Sequence, residues 1–255
     1  MKPAAWLAPI GLLVAVMLAW QLIVTGLDVP KFLVPAPTDV FAAAVQHGGA
    51  LLTGTRTTAL ESLAGFASSA VIGTAFAFVM TRSRLLEQSL VPYAMFLQTV
   101  PVVAVAPLFV LWFDVGFGSV AASSFIVAVF PVINAAAAGL RAVEPDHRAL
   151  FVLYKASRWQ TFWRLEAPSA APYLASGLRS ASGLAVIGAV VGEFVSGYTE
   201  GNAGLGTILL SANRQMQTSL MFAAVLCCSL TGLAMFGAVS LGARAFLGRW
   251  HAAAR

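Results

Sequence analysis

The stretch VEPDHRALFVLYKASRWQTFWRLEAPSAAP, residues Val143–Pro172, is the longest segment that separates two long apolar runs in this chain. Its apolar residues recur at helical spacing in two groups, which predicts two short amphipathic helices. The groups are Leu150, Leu153 and Tyr154, followed by Trp159, Phe162 and Trp163. The segment is also basic, because it contains Arg148, Lys155, Arg158 and Arg164 and follows closely on Arg141.

Capping signals set the boundaries of these two helices. Pro145 suits the first turn of the first helix, and Ser157 with Gln160 three residues later fits a capping box that starts the second. Pro168 and Pro172 are expected to end the second helix. This helix–turn–helix could lie on the anionic inner leaflet of a membrane, with its aromatic rings among the headgroups. Alternatively, it could dock into a groove of a soluble partner.

The composition of the chain is that of an integral membrane protein. Of its 255 residues, 59% are hydrophobic and 10% are charged, whereas soluble domains carry about 25% charged residues. A membrane span needs roughly 20 apolar residues, so we predict one all-α transmembrane domain over residues 1–255, with the first apolar run retained as a span. The six predicted spans cover about 5–24, 58–80, 90–113, 120–140, 173–195 and 219–241.

The basic residues predict the orientation of these spans. With both termini in the cytoplasm, twelve of the fifteen Lys and Arg residues fall on the inner side, as the positive-inside rule requires. The twelve are Lys2, Arg82, Arg84, Arg141, Arg148, Lys155, Arg158, Arg164, Arg179, Arg244, Arg249 and Arg255; Lys31, Arg56 and Arg214 lie outside. Because these charges are spread over short loops and form no single patch, they indicate contact with the lipid bilayer and not with nucleic acid.

Polar residues inside the predicted spans are candidates for a transport path, because polar groups are costly in hydrocarbon. Gln98 and Thr99 precede Pro101, which frees backbone carbonyls, and Asn134 follows Pro131 in the next span. These residues could line a polar path, or they could form ordinary hydrogen bonds between proline-kinked helices.

Other polar and small residues leave similar alternatives. Glu193 could meet a substrate, pair with Arg214 or extend to the membrane interface, and Glu61 has the same options. Gly188 and Gly192 permit close helix contact, either within the chain or in a dimer. We predict that the turn residues of the chain include Gly201, Gly204 and Gly206. We predict packing roles for the adjacent Cys227 and Cys228.

Motifs for chemistry are missing from the sequence. It contains neither GxxxxGK[ST] nor HExxH, and its three histidines, His47, His147 and His251, fall in predicted loops or at the tail. A membrane enzyme is therefore disfavoured. A stand-alone secondary transporter or channel is the alternative from another class, although such a protein is expected to carry charges near the middle of its spans.

Several stretches resemble the permease subunits of type I ATP-binding-cassette (ABC) importers, in the branch that serves nitrate, sulfonate, taurine, bicarbonate, riboflavin and thiamine-pyrimidine precursors. The stretches are FLVPAPTDV (Phe32–Val40), QTVPVVAVAPLFVLWF (Gln98–Phe113), ASRWQTFWRLEAPSAAPYLASGLR (Ala156–Arg179), AVIGAVVGEF (Ala185–Phe194) and GLG (Gly204–Gly206). The resemblance implies six transmembrane helices of that permease fold, with a cytoplasmic coupling helix–turn–helix over residues 143–168 between spans four and five.

The coupling motif of that family commonly has Glu-Ala-Ala, three residues, Gly, nine residues and Ile-x-Leu-Pro. Here the first three positions are Ala149-Leu150-Phe151, Lys155 takes the place of the glycine, and the motif ends at Pro168. The glycine normally permits an unusual backbone turn, so Lys155 implies either a strained turn or a different one.

The resemblance implies a bacterial cytoplasmic-membrane protein that is not itself an enzyme. Its partners are two ABC ATPase subunits, an extracytoplasmic substrate-binding protein and a second permease copy; ATP and Mg bind to the ATPase and no cofactor binds to this chain. The implied ATPase-coupling residues are Leu150, Tyr154, Lys155, Ala156, Ser157, Arg158, Trp159 and Pro168, and the implied substrate-path residues are Gln98, Thr99, Asn134 and Glu193. A small heteroaromatic nutrient is favoured as the substrate, with sulfonate, taurine, nitrate or bicarbonate as the alternative.

Overall fold

A computed structural model of the chain describes residues 4–196 and 203–251, with side chains over 8–196 and 203–247. These ranges are helical and contain no strand. The elements are α1 (Ala4–Gly26), α2 (Pro37–Gln46), α3 (Gly48–Met80), α4 (Arg84–Thr99), α5 (Val102–Phe113), α6 (Phe117–Arg141), α7 (Pro145–Leu153), α8 (Arg158–Thr161), a π-helical turn (Phe162–Glu166), α9 (Ala167–Ser196), α10 (Leu205–Arg214) and α11 (Thr218–His251). Lys2, Gly201 and Arg255, used in the sequence analysis, lie outside the described residues.

Five of the six predicted spans correspond to helices long and apolar enough to cross a membrane, namely α1, α3, α6, α9 with the elements that lead into it, and α11. The third predicted span is different. It consists of α4 and α5, which meet at an angle of 96° across a short break. The break includes Pro101, which has no N–H to donate and so interrupts the helical hydrogen bonding.

One helix is longer than its predicted span, and one predicted helix end is wrong. The second span was predicted from residue 58, and α3 begins ten residues earlier, at Gly48. The helix that starts at Arg158 was expected to stop at Pro168 or Pro172. Instead it continues through the π-helical turn into α9, so residues 158–196 form one long helical rod. A proline is tolerated inside a helix when neighbouring groups or a local π-helical adjustment satisfy the carbonyl that it leaves free.

The centre of the bundle is built from α3, α6 and α9, which pack closely through small residues. A side chain at Gly188 or Gly192 of α9 would collide with Ser123 of α6. Ser124 is also buried, and its hydroxyl donates to the carbonyl of Ala185 in α9 at 2.9 Å. Gly188 and Gly192 therefore serve packing within the chain.

A second apolar cluster joins α2, α3, α10 and α11, and Cys227 and Cys228 pack against it as predicted. The first helix differs from the others, because only 6% of its apolar window is buried by the rest of the chain. The face of α1 is left for lipid or for another protein.

Candidate functional site

The predicted coupling segment forms two short helices whose ends match their capping signals. Pro145 occupies the first turn of α7. At the start of α8, the Gln160 N–H donates to Ser157 Oγ at 3.2 Å, and the Ser157 N–H donates to Gln160 Oε1 at 2.9 Å. This reciprocal pair is the predicted capping box, and it fixes where α8 begins.

The turn between α7 and α8 keeps the backbone conformation that a glycine would favour. Lys155 has φ +50°, in the left-handed region. Its N–H donates to the carbonyl of Val152 at 3.0 Å, and the N–H of Ala156 donates to the carbonyl of Phe151 at 2.9 Å. These two bonds define a Schellman motif, which satisfies the last carbonyls of α7. Lys155 therefore lies in a strained turn, in a conformation that costs a residue with a Cβ about 1–2 kcal/mol.

Most of the predicted coupling residues are exposed on α7, α8 and the turn between them. The exposed ones are Leu150, Tyr154, Lys155, Ser157, Arg158 and Trp159, whereas Ala156 and Pro168 are partly buried. We call Leu150, Tyr154, Arg158 and Trp159 the coupling surface. Large apolar side chains that remain exposed beside an arginine on a rigid element are typical of a protein–protein contact.

The predicted path residues do not form one site within a single chain. Gln98 and Thr99 are exposed at the end of α4, immediately before the sharp bend, and Asn134 is exposed on α6. Within the described residues, neither Gln98 nor Asn134 makes a side-chain hydrogen bond, whereas the Thr99 hydroxyl donates to the carbonyl of Phe96 at 2.8 Å. Exposed amides on membrane helices need a polar neighbour, and the described part of this single chain does not provide one.

Glu193 lies elsewhere, buried at the opposite end of the bundle from the coupling surface. Its carboxylate accepts a 2.6 Å hydrogen bond from Thr58 Oγ1 on α3 and a second from the N–H of Gly206 in α10. Thr58 in turn accepts from the N–H of Leu205 at 2.9 Å. Glu193 is only 3% exposed and Arg214 is on the surface, so Glu193 neither extends to the interface nor pairs with Arg214. Together Thr58 and Glu193 cap the N-terminus of α10.

The glycines of GLG are not turn residues, contrary to the sequence-based prediction. Gly204 has an ordinary extended backbone and Gly206 lies inside α10. A Cβ at either position would collide with the Glu193 carboxylate. Their role is to let the start of α10 approach that carboxylate closely. Sequence reasoning missed Thr58, although Thr58 and Glu61 lie three residues apart on one helix face and could have been recognised as a polar pair.

A cavity of about 850 Å³ lies at this end of the bundle, between the start of α3, the end of α9 and α10. Its lining includes Thr53, Phe194, Ser211 and Arg214. Because α10 forms one wall, the cap at Thr58 and Glu193 also sets the shape of this cavity.

Comparison with known proteins places this architecture in a family. A family described as the inner membrane component of binding-protein-dependent transport systems matches residues 69–247. The chain belongs to this family. The permease is also 36% identical to a probable ABC transporter permease protein of Haemophilus influenzae, over 86% of this chain and 88% of the relative.

Two further relatives carry more specific names. The permease is 34% identical to the riboflavin transport system permease protein RibX of Chloroflexus aurantiacus, over 95% of this chain and 91% of the relative. It is 31% identical to the formylaminopyrimidine transport permease protein ThiX of Halalkalibacterium halodurans, over 91% of this chain and 92% of the relative. The chain is thus a multi-pass permease of an ABC importer, the membrane component of a transport system and not its ATPase.

Proposed function

We propose that this permease works as a homodimer with two ABC ATPase subunits, which bind ATP and Mg²⁺ and dock on the coupling surface. The observation that supports this most directly is the continuity of α8 with α9. Because residues 158–196 form one rod, a force applied to α8 by a bound ATPase reaches a membrane-spanning helix without passing through a flexible loop. Inward-facing and outward-facing states then form a two-state equilibrium that ATP and the substrate bias.

A second copy of the chain explains the exposed polar groups. Gln98, Thr99 and Asn134 are exposed in the single chain, and a path between two permeases would provide the water and substrate that such groups require. Glu193 belongs to this path only in a state in which α10 has moved away from its carboxylate. In the orientation that the positive-inside rule favours, both termini and the coupling surface lie in the cytoplasm. The substrate-binding protein would then dock on the opposite face.

The substrate that we favour is a small heteroaromatic nutrient resembling riboflavin or a pyrimidine. Two of the relatives described above, RibX and ThiX, are named for riboflavin and formylaminopyrimidine. Both align with more than nine-tenths of this chain, so the similarity includes the membrane helices as well as the coupling segment.

The docking proposal can be tested by co-purifying the permease with its ATPase. Replacing Tyr154, Arg158 and Trp159 together by alanine should weaken ATPase retention at least tenfold, since the exposed aromatic and arginine residues of an interface each contribute on the order of 2 kcal/mol. Met216→Ala is the matched control, because Met216 is equally exposed but lies at the opposite end of the bundle. Stoichiometric ATPase in the triple variant, or ATP-independent uphill uptake by the permease alone, would contradict the proposal.

A further inference from the structure

Three charged side chains from separate elements meet near the coupling segment. Arg82, just after α3, places Nη2 2.5 Å from Glu166 Oε2. Arg148, in α7, places Nη2 3.6 Å from Glu166 Oε1. The Glu166 side chain is only 12% exposed and is the last residue of the π-helical turn. One largely buried carboxylate therefore joins the end of α3, the first coupling helix and the rod that contains α9.

Arg82 is held by more than its charge. Its guanidinium carbon lies 4.0 Å from the ring centre of Phe78 and 5.9 Å from that of Phe162. The two rings also contact each other edge to face, with centres 4.8 Å apart. Exposed ion pairs contribute little to the stability of a fold, because both side chains are mobile. Arg82, by contrast, is fixed between an aromatic ring of α3 and two residues of the π-helical turn.

The position of these contacts on the rod gives them a mechanical role. Phe162 begins the π-helical turn and Glu166 ends it. The N–H of Ala167 donates to the carbonyl of Phe162, five residues back, and Pro168 has no N–H to reinforce the next turn. A single π-helical turn inside an α-helix is a local irregularity that often marks a functional site. It is the place where the rod from α8 to α9 would bend under load.

We propose that Arg82 and Glu166 form a transmission pair, which braces the π-helical turn and makes α3 move together with α9 when α8 is displaced. The pair contacts both ends of the irregular turn, so bending there would break the ion pair or the aromatic contact. Both are positioning residues, since their partners are other residues of this chain. The inference rests on the proposed function, because the displacement of α8 is the stroke of the docked ATPase.

The transmission pair can be tested in the complete complex of permease, ATPase and binding protein, reconstituted in liposomes. Riboflavin and formylaminopyrimidine are the probe substrates, and both uptake and ATP hydrolysis are measured in the same vesicles. Arg82→Ala and Glu166→Ala should each raise the ATP hydrolysed per molecule imported by about threefold or more, the scale on which residues of a coupling network act. The double variant should be no worse than either single variant, because both remove the same contact.

The chain offers a matched control for this experiment. A polar cavity of about 420 Å³ is lined by Arg82 and Glu166 and also by a second ion pair, Arg141 and Glu87, whose charged atoms are 2.5 Å apart. This second pair does not touch the π-helical turn. Arg141→Ala should leave the ratio of ATP to substrate unchanged. If Arg82 and Glu166 served stability alone, their variants would reduce the yield of the complex while that ratio stayed at the wild-type value. Such a result would overturn the proposal.

Two further measurements keep the inference testable if the alanine variants assemble poorly. Glu166→Gln removes the charge while keeping the shape and a hydrogen-bond acceptor, and it should raise the same ratio. In the wild-type complex, the amides of residues 162–167 should keep their protection from hydrogen exchange when ATP binds. Faster exchange there would show that the turn bends, and would contradict the proposal that the transmission pair braces it. A wild-type complex that imports neither probe and does not hydrolyse ATP would instead contradict the proposed function.

Discussion

Thr58 Oγ1 donates a 2.6 Å hydrogen bond to Glu193 Oε1, which joins α3 to α9 across 135 residues of chain. The same hydroxyl accepts from the N–H of Leu205 at the start of α10. Both residues are buried at the end of the bundle away from the coupling surface. The pair therefore determines the position of α10, and with it one wall of the cavity of about 850 Å³.

Replacing Thr58 by valine should destabilise the permease, because the change keeps the shape but leaves the Leu205 N–H and one Glu193 oxygen buried without this partner. A lost buried hydrogen bond of this kind costs about 1–3 kcal/mol. The measurement is the free energy of unfolding in detergent titrations. Thr57→Val is the control, since the Thr57 hydroxyl makes no hydrogen bond within the described residues. Equal stability of the two variants would contradict the assignment of Thr58 to the cap of α10.

Gly206→Ala should displace α10. The added Cβ would lie 2.6 Å from the carbonyl oxygen of Val190 and 2.7 Å from Glu193 Oε2, and real Cβ atoms do not approach so closely. We expect a lower unfolding temperature and faster hydrogen exchange over residues 205–209. Gly183→Ala is the comparison, because nothing lies within 4 Å of a Cβ at that position. If Gly206→Ala were as stable as Gly183→Ala, the close approach of α10 to Glu193 would be wrong.

Lys155→Gly should stabilise the turn between α7 and α8. Lysine is strained in the left-handed conformation, and glycine relieves that strain but loses more conformational entropy on folding. The net gain in stability of the turn is about 0.5–1 kcal/mol. The amides of residues 151–157 should then exchange about two- to fivefold more slowly. Lys155→Ala separates the charge from the backbone effect, because alanine removes the ammonium group and keeps the strain. Slower exchange in the alanine variant as well would assign the effect to the side chain.

Gln98→Ala should reduce substrate uptake about three- to tenfold without loss of the assembled complex, as expected when one neutral hydrogen bond to a substrate or its water is lost. Uptake into reconstituted vesicles is measured alongside the amount of ATPase retained. Gln88→Ala is the control, because Gln88 is exposed on the same helix but lies near its start. Unchanged uptake in Gln98→Ala would exclude Gln98 from the path.

The sequence alone determined the features that depend on neighbours along the chain. The long apolar runs predicted six spans, and five of them correspond to single helices long and apolar enough to cross a membrane, because that capacity depends mainly on length and hydrophobicity. The capping box at Ser157 and Gln160 was also predictable, since its donors and acceptors lie within three residues of each other. Resemblance of several stretches predicted the permease family, which the comparisons confirm.

Only the tertiary structure decided the features that depend on distant residues. It showed that Glu193, for which the sequence left several roles open, is buried and caps α10, and that Gly206 has a packing role in place of a turn. It also joined Arg82 to Glu166, 84 positions apart, in a helix that Pro168 and Pro172 were expected to end. The physical reason is that a buried polar side chain needs a partner. Which partner it finds depends on how α3, α6 and α9 approach one another through their small residues, and no local pattern records that approach.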